Sequence, residues 1–459
     1  METTPFGIFW IILGLVSLFW RDGGVLLSLL AFAAIFQASM VLSLSIGDSI
    51  EPILPYYWIT ILIALRLFWN LATRRLMALP PAVGVSLVVL AAFAVVTTAV
   101  TAVAPLVFHG LAVYDPQRSI DAQYQNLGTL EFKISMLGQL GFLWLNLLVL
   151  WYTATEIART GLPLRFVRSL TWAGVAAAFL ALWQAASWKL HIPYPYAQLN
   201  NAAGWSQGYM QFLAGIKRIN GSFTEPSSMA AFMVGFFAFA LTLWWHSRDW
   251  KAAWLTIMAL LALLISTSTT AYLGLMGLLP IWLFFALGYQ TRLRRRTVAA
   301  LLAIGILITA SLPAVLAHET VRKVLDSSLV SKATTSSFIH RTAADLRALE
   351  ILLETGGVGV GLGGNRPSSF AASLISTTGV VGLGLFVSFV ILVAAAALRQ
   401  TRDNSKLRPV AVSVLWGLVG HLLAKQLSQP DLSQPTMWIW LAALVAVAAG
   451  SSGKEAVRA

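Results

Sequence analysis

The stretch Arg218-Ile-Asn-Gly-Ser-Phe-Thr-Glu-Pro-Ser227 sets a guanidinium and a carboxylate at the mouth of an apolar run, residues 228–246. Charge at the edge of such a run is costly unless it is used or neutralised. Arg offers a fixed fork of donors that suits phosphate or carboxylate oxygens. Glu225, at a low-dielectric boundary, is placed to act as a base toward a hydroxyl. Pro226 and Ser227 suit a helix start, and a helix N-terminus adds its own preference for anions. The same residues also fit a plainer arrangement, an interfacial Arg–Glu pair beside a helix cap. Asn220-Gly-Ser222 matches the glycosylation sequon, but nothing around it requires a glycan.

A second stretch, Gly356-Gly-Val-Gly-Val-Gly-Leu-Gly-Gly-Asn-Arg-Pro-Ser-Ser369, is rich in glycine. Gly359-x-Gly361-x-x-Gly364 matches the dinucleotide fingerprint, but no strand precedes it and no βαβ unit surrounds it, so that reading is rejected. Backbone without Cβ atoms can approach a ligand closely or form an anion nest. Asn365, Arg366, Ser368 and Ser369 then supply donors just before a helix. The alternative is a flexible re-entry turn.

Arg341 and Arg347 lie on a segment with helical spacing, 341–354, but not on one face of it. Ser266-Thr-Ser-Thr-Thr270 reads as a cap and tight turn between two apolar runs. His421 and Lys425 fall one turn apart inside another run, with Asp431 beyond it. An ionisable group inside a span is a functional candidate, although Lys425 is near enough to the end to snorkel. The six His show no metal-ligand spacing, and the absence of Cys excludes disulfides, thiolate metal sites and Cys nucleophiles.

These residues must be positioned by a membrane domain. Of 459 residues 58% are hydrophobic and 11% charged, with a mean hydropathy of +0.77, where a soluble domain carries about 25% charged residues. Apolar runs cover 6–20, 24–46, 53–70, 82–107, 135–157, 169–188, 228–246, 252–266, 269–289, 297–316, 369–398, 409–426 and 436–450. They predict an all-α polytopic membrane protein, one integral domain over 1–459, with roughly 12–14 transmembrane helices. The run 6–20 has no basic n-region and no A-x-A cleavage site before the next run, and is expected to be retained. The run 369–398 exceeds one crossing, and Gly379, Gly382 and Gly384 would let its first turns bend.

Short connections carry Arg74-Arg75, Arg159 with Arg165 and Arg168, Arg248 with Lys251, Arg292 with Arg294 to Arg296, and Arg399 with Arg402, Lys406 and Arg408. This asymmetry accounts for much of the net charge of +13 and places those connections in the cytoplasm. No basic soluble domain exists to bind nucleic acid. The longest opposite connections, 190–227 and 317–368, are expected outside. Within the second, Leu346, Leu349 and Leu353 share a face of a helix that begins near Thr342 and stops at Gly356-Gly357, an interfacial helix packed on the membrane domain.

Two motifs coincide in one known family. R-x-N-G-S-F-x-E-P-S before a membrane helix resembles bacterial O-antigen and exopolysaccharide polymerases. So does Arg341-x5-Arg347 followed by G-V-G-x-G-G-N-R-x-S-S and G-V-V-G-L-G-L-F. The resemblance spans Ile192 to Phe386 in motifs, and it extends to the superfamily that includes the O-antigen ligases. It implies a GT-C-like fold in the bacterial inner membrane. It also implies a metal-independent, inverting glycosyltransferase without a cofactor. Such an enzyme moves a growing glycan from undecaprenyl diphosphate onto a lipid-linked repeat unit. The partners implied are undecaprenyl-diphosphate-linked glycans and membrane lipids, with a chain-length regulator as a further one. Carried onto this chain, Arg218, Arg341 or Arg347, and Arg366 would hold the diphosphates, with Asn365, Ser368 and Ser369 beside them. Glu225 would be the base.

The sequence departs from the ligases in having Asn365-Arg366-Pro367 where they carry a His. It also departs from the polymerases, because neither Arg341 nor Arg347 is followed by Gly at the family's spacing. The competing readings are ligase-type transfer of glycan to lipid or protein, and a membrane transporter. A transporter would more often show repeated halves and polar groups at the bilayer midplane.

Overall fold

The computed structural model describes residues 2–46, 49–73, 78–115, 126–202, 210–213, 215–288, 336–402, 404 and 406–450. Its helices are α1 (Pro5–Phe19), α2 (Gly24–Ala33), α3 (Pro55–Ala72), α4 (Pro81–Val107), α5 (Ile134–Thr160), α6 (Pro163–Leu190) and α7 (Tyr196–Leu199). There follow α8 (Pro226–Ser247), α9 (Trp250–Ile265), α10 (Thr269–Gly288), α11 (Ser336–Glu354), α12 (Phe370–Gln400), α13 (Leu407–Ser428) and α14 (Pro435–Gly450). Among the described residues, seven helices (α4, α5, α6, α8, α10, α12 and α13) are long and apolar enough to cross a bilayer. The chain is an all-α polytopic membrane protein.

Local chemistry sets the helix starts. Pro occupies the first turn of α1, α3, α4, α6 and α8, where its missing N–H is not needed. Thr4, Asp249 and Ser369 cap α1, α9 and α12 with their side chains. The core is organised around α14, all of whose residues are buried, and around α8, buried from Pro226 to Thr242. Small residues let α8 and α13 approach closely: a Cβ on Gly235 would meet the Gly417 carbonyl oxygen at 2.7 Å.

One end of the bundle carries the basic connections, where Arg165 pairs with Asp22 and Arg159 with Glu156. The other end carries the longer ones. It holds the starts of α3, α8, α10, α12 and α14 and the ends of α2, α6, α9 and α13.

Three expectations need correction. The run 24–46 is not one span. Its helix stops at Ala33, and Leu42–Ile46 (β2) pairs antiparallel with Ser49–Ile53 (β3). The chain leaves the helix because residues 220–223 satisfy its backbone instead. The Ser222 carbonyl accepts from Gln37 and Ala38 N–H at 3.0 and 3.1 Å, and Ser222 Oγ donates to the Ile35 carbonyl at 2.7 Å. Helix α11 starts at Ser336 rather than near Thr342. Its inward face is Ala344, Ala348 and Ile351, while Leu346, Leu349 and Leu353 are exposed. The small face wins because α11 lies close against α12 and the strand Ala112–Asp115 (β4).

Helix α12 does bend where glycine permits. Gly379 has φ 69° and ψ −174°, breaking the helix inside its length. The expected span 297–316, the basic cluster 292–296, residues 317–335, Arg74-Arg75 and the C-terminal Lys454 and Arg458 lie outside the described residues.

Candidate functional site

The peptide that opens α8 divides into a scaffold and two chemical groups. Gln184 of α6 holds the scaffold. Its Oε1 accepts from Asn220 N–H and Gly221 N–H at 2.9 and 2.8 Å, and its Nε2 donates to Asn220 Oδ1 at 2.8 Å. Asn220 Nδ2 donates to the Phe223 carbonyl at 2.5 Å. Asn220 is wholly buried, so it is no glycan acceptor in this fold. Gly221 takes φ 58°, a left-handed conformation that suits glycine, and Phe223 is buried against Phe232. The sequence between Arg218 and Glu225 therefore fixes the geometry of the groups that flank it.

Glu225 is the N-cap residue of α8, half-buried, and its carboxylate accepts from Ser227 Oγ at 3.0 Å. Arg218 donates from Nη1 to Gln211 Oε1 at 2.9 Å. Its charge also reaches Tyr272 of α10. The Glu225 carboxylate lies in electrostatic range of Arg366.

Arg366 is anchored by a residue that the motifs do not contain. Its Nε and Nη2 donate to the two carboxylate oxygens of Asp431 at 2.8 and 2.7 Å. Burial pushes the Asp431 carboxyl up, but Arg366, with Lys425 adding to it, outweighs this and holds the group below the usual carboxylate range. Asp431 in turn raises Arg366, and Glu225 adds to that effect. Lys425 Nζ donates to the Asp431 backbone carbonyl at 2.9 Å and lies 4.7 Å from the Phe370 ring centroid. The loop bearing Asp431 is pinned by Tyr57, whose hydroxyl donates to the Ser433 carbonyl, and by Trp438 Nε1 to the Leu432 carbonyl at 2.7 Å. His421 is closed off between the Ala231 carbonyl and Thr436 Oγ1.

The glycine-rich stretch takes another role than a nest. Val360 and Gly361 N–H donate to the carbonyls of Ser376 and Thr377, both at 2.9 Å, and Val380 N–H donates to the Gly357 carbonyl at 2.9 Å. Gly359 N–H goes to Thr355 Oγ1, and Leu362 N–H to Thr101 Oγ1, each at 3.0 Å. The segment thus repairs the break in α12, supplying partners for backbone that the kink at Gly379 leaves open. Glycine is required because the backbones touch: a Cβ on Gly379 would stand 2.3 Å from the Val358 carbonyl oxygen, and one on Gly361 would stand 2.6 Å from Thr101 Cα.

The remaining sequence candidates separate. Asn365 is buried and joins Tyr114 N–H at 2.9 Å to Ser376 Oγ at 3.1 Å. Ser368 N–H, Ser369 N–H and Ser368 Oγ all donate to the Asp345 carboxylate, at 2.7, 3.0 and 3.1 Å, so an internal anion already occupies the start of α12. Arg347 makes four hydrogen bonds, to Glu350, Glu354 and the Ala112 carbonyl. The guanidinium of Arg341 has no acceptor among the described residues and is half-exposed. The structure therefore places Glu225 within electrostatic range of Arg366, leaves Arg341 open among the described residues, and commits Arg347 and Asn365 to protein contacts.

Sequence reasoning missed Asp345 and gave Asp431 only a passing place. The available signal was an acidic residue in the short link between two apolar runs, 429–434, in a chain with 18 acidic residues in all. Among the described residues no group of three or more His, Asp or Glu is placed to hold a metal. Neither a scan against protein-family models nor a search of curated proteins finds a match.

Proposed function

We propose that the protein is a glycosyltransferase of the bacterial inner membrane, a polysaccharide polymerase. It would transfer a growing glycan from undecaprenyl diphosphate to a lipid-linked repeat unit on the outer side. The observation that carries this reading is the Arg218 to Ser227 peptide, which sets Glu225 at the mouth of α8 in electrostatic range of Arg366. A half-buried carboxylate and a partly solvated guanidinium then lie at the same end of a membrane bundle.

The chemistry follows from the charges. Glu225 takes the proton of the acceptor hydroxyl as the new C1–O bond forms. The bond from C1 to the diphosphate oxygen breaks, and the electron pair leaves with the lipid diphosphate. Arginine donors stabilise that growing charge in a cleft of low dielectric. Arg366 has five donors, of which the Asp431 contact engages two, and its side chain is 43% exposed. Arg218 and Arg341 are the other candidates for the diphosphate. A single displacement inverts the anomeric centre.

A transporter has one specific observation behind it, since His421 and Lys425 are buried inside α13. Both are closed by protein partners rather than open to a path, which favours transferase chemistry at the end of the bundle. The test is direct. Purified protein incubated with one defined undecaprenyl-diphosphate-linked repeat unit should produce a ladder of lipid-linked oligomers. Vesicle uptake of the same lipid without any ladder would favour the transporter instead.

A further inference from the structure

The turn at residues 266–268 between α9 and α10 is strained and polar beyond what a cap needs. Ser266 already performs the capping: its Oγ donates to the Leu263 carbonyl at 2.7 Å and accepts from Ser268 N–H at 3.3 Å. Thr267 nonetheless sits at φ 48°, left-handed backbone that a β-branched residue rarely adopts. Thr267 Oγ1 and Ser268 Oγ are buried, with their residues 6% and 0% exposed, and neither has a hydrogen-bond partner among the described residues.

Across from this turn lies the end of α13. Thr270 Oγ1 donates to Ser428 Oγ at 3.0 Å, which ties the two elements together. The next residue, Gln429, is 2% exposed, and neither its Nε2 nor its Oε1 has a partner among the described residues. A buried primary amide with donor and acceptor both unmade is costly in a folded protein. Two hydroxyls and one amide therefore flank a single interhelical bridge with their hydrogen-bonding capacity open.

From these groups we infer a binding subsite for a neutral, hydroxyl-bearing ligand, and specifically for the acceptor sugar. The identity of that sugar rests on the polymerase reading above. The three side chains carry no charge, yet both donate and accept, which matches the donor-and-acceptor character of sugar hydroxyls. Gln429 is in the same short link as Asp431, the partner of Arg366. A sugar held there would contact the same short link that anchors the arginine assigned to the diphosphate. An ordered water has the same chemistry and is the other source of such a hydroxyl.

The test compares binding of two probes to the full-length protein in detergent. One is a polyprenyl diphosphate carrying a single N-acetylhexosamine, and the other is the same lipid diphosphate without sugar. Wild type should bind the sugar-bearing lipid more tightly. Gln429→Leu and the milder Ser268→Ala should each weaken that binding by about tenfold, the scale of one neutral hydrogen bond at its upper end. Affinity for the bare diphosphate should stay within about twofold on the same scale. Variants that discriminate as well as wild type, with a raised unfolding midpoint, would overturn the sugar subsite and assign the gap to water or to simple mispairing. Wild type that binds both lipids equally would overturn it as well, leaving the polymerase reading intact. Wild type that binds neither lipid would overturn both readings.

Discussion

Arg366 and Asp431 form a two-pronged ion pair, 2.8 Å at Nε and 2.7 Å at Nη2, between the start of α12 and the link from α13 to α14. The pair joins the glycine-rich stretch to the buried C-terminal helices and holds the guanidinium in electrostatic range of Glu225. Removing Asp431 should therefore loosen both the fold and the site. Asp431→Asn is expected to lower stability by roughly 1–3 kcal/mol, less than the full cost of breaking a buried pair because Arg366 is 43% exposed. Unfolding midpoints in detergent would measure this.

The same pair has a defined pH response. The Asp431 carboxyl is held below its ordinary 3.8 in the folded state. Its stabilisation is then present above the unfolded value and disappears as pH falls through the folded one. The wild-type midpoint should fall on acidification below about pH 4, and the part of that fall due to Asp431 should be missing in Asp431→Asn. Equal acid sensitivity in the two proteins would remove Asp431 from the account.

The two loop arginines should separate by phenotype. Arg347 is bonded to Glu350, Glu354 and the Ala112 carbonyl, and Arg347 in turn holds Glu354 below the usual carboxylate range. Arg347→Ala should destabilise the α11 region, read as faster local proteolysis or hydrogen exchange. Arg341→Ala should leave those readouts unchanged. It should reduce transfer activity by about 100- to 1,000-fold, the range seen when one charge-stabilising donor is lost.

Gly379 tests the role assigned to the glycine-rich stretch. With φ 69° and a Cβ position 2.3 Å from the Val358 carbonyl oxygen, Gly379→Ala combines backbone strain with direct overlap. The strain alone is worth on the order of 1–3 kcal/mol. The variant should express poorly or lose its monodisperse peak, while Gly384→Ala, with open space around it, should behave as wild type. Normal behaviour of Gly379→Ala would mean that the break in α12 is not needed.

Most of the helices were legible, because apolar runs near the length of a bilayer crossing have few other uses. The bend at Gly379 was legible for the same reason that it exists, since glycine marks where a helix yields. The end of α2 at Ala33 was not, because the partners that Ile35, Gln37 and Ala38 take instead belong to Ser222, far along the chain. The inward face of α11 was misjudged because hydrophobicity predicts burial only when the neighbour leaves room. Ala344 and Ala348 fit against the domain where leucines do not. The donors of Asn365, Ser368 and Ser369 were visible in the sequence, but not that Tyr114, Ser376 and Asp345 satisfy them. Pairings across long separations, such as Arg366 with Asp431, leave no trace in spacing.

The sidedness of the site rests on the charge of the short connections. The native chain has no Cys, so single-Cys variants report cleanly. Val358→Cys, at an exposed position near the candidate site, should react with an impermeant maleimide in intact cells, and Lys251→Cys at the opposite end only after lysis. The reverse pattern would put the site in the cytoplasm.

The central claim is that Glu225 takes the proton of the acceptor hydroxyl. Glu225→Gln keeps the size of the side chain and can still accept from Ser227 Oγ, but it cannot take up that proton. The deciding measurement is the single-turnover rate of chain extension by purified protein on a defined lipid-linked repeat unit. The account predicts a loss of about 100- to 10,000-fold with lipid binding retained. A Glu225→Gln protein that extends the chain at near wild-type rate would contradict it and leave Glu225 as a helix-capping residue beside Arg366.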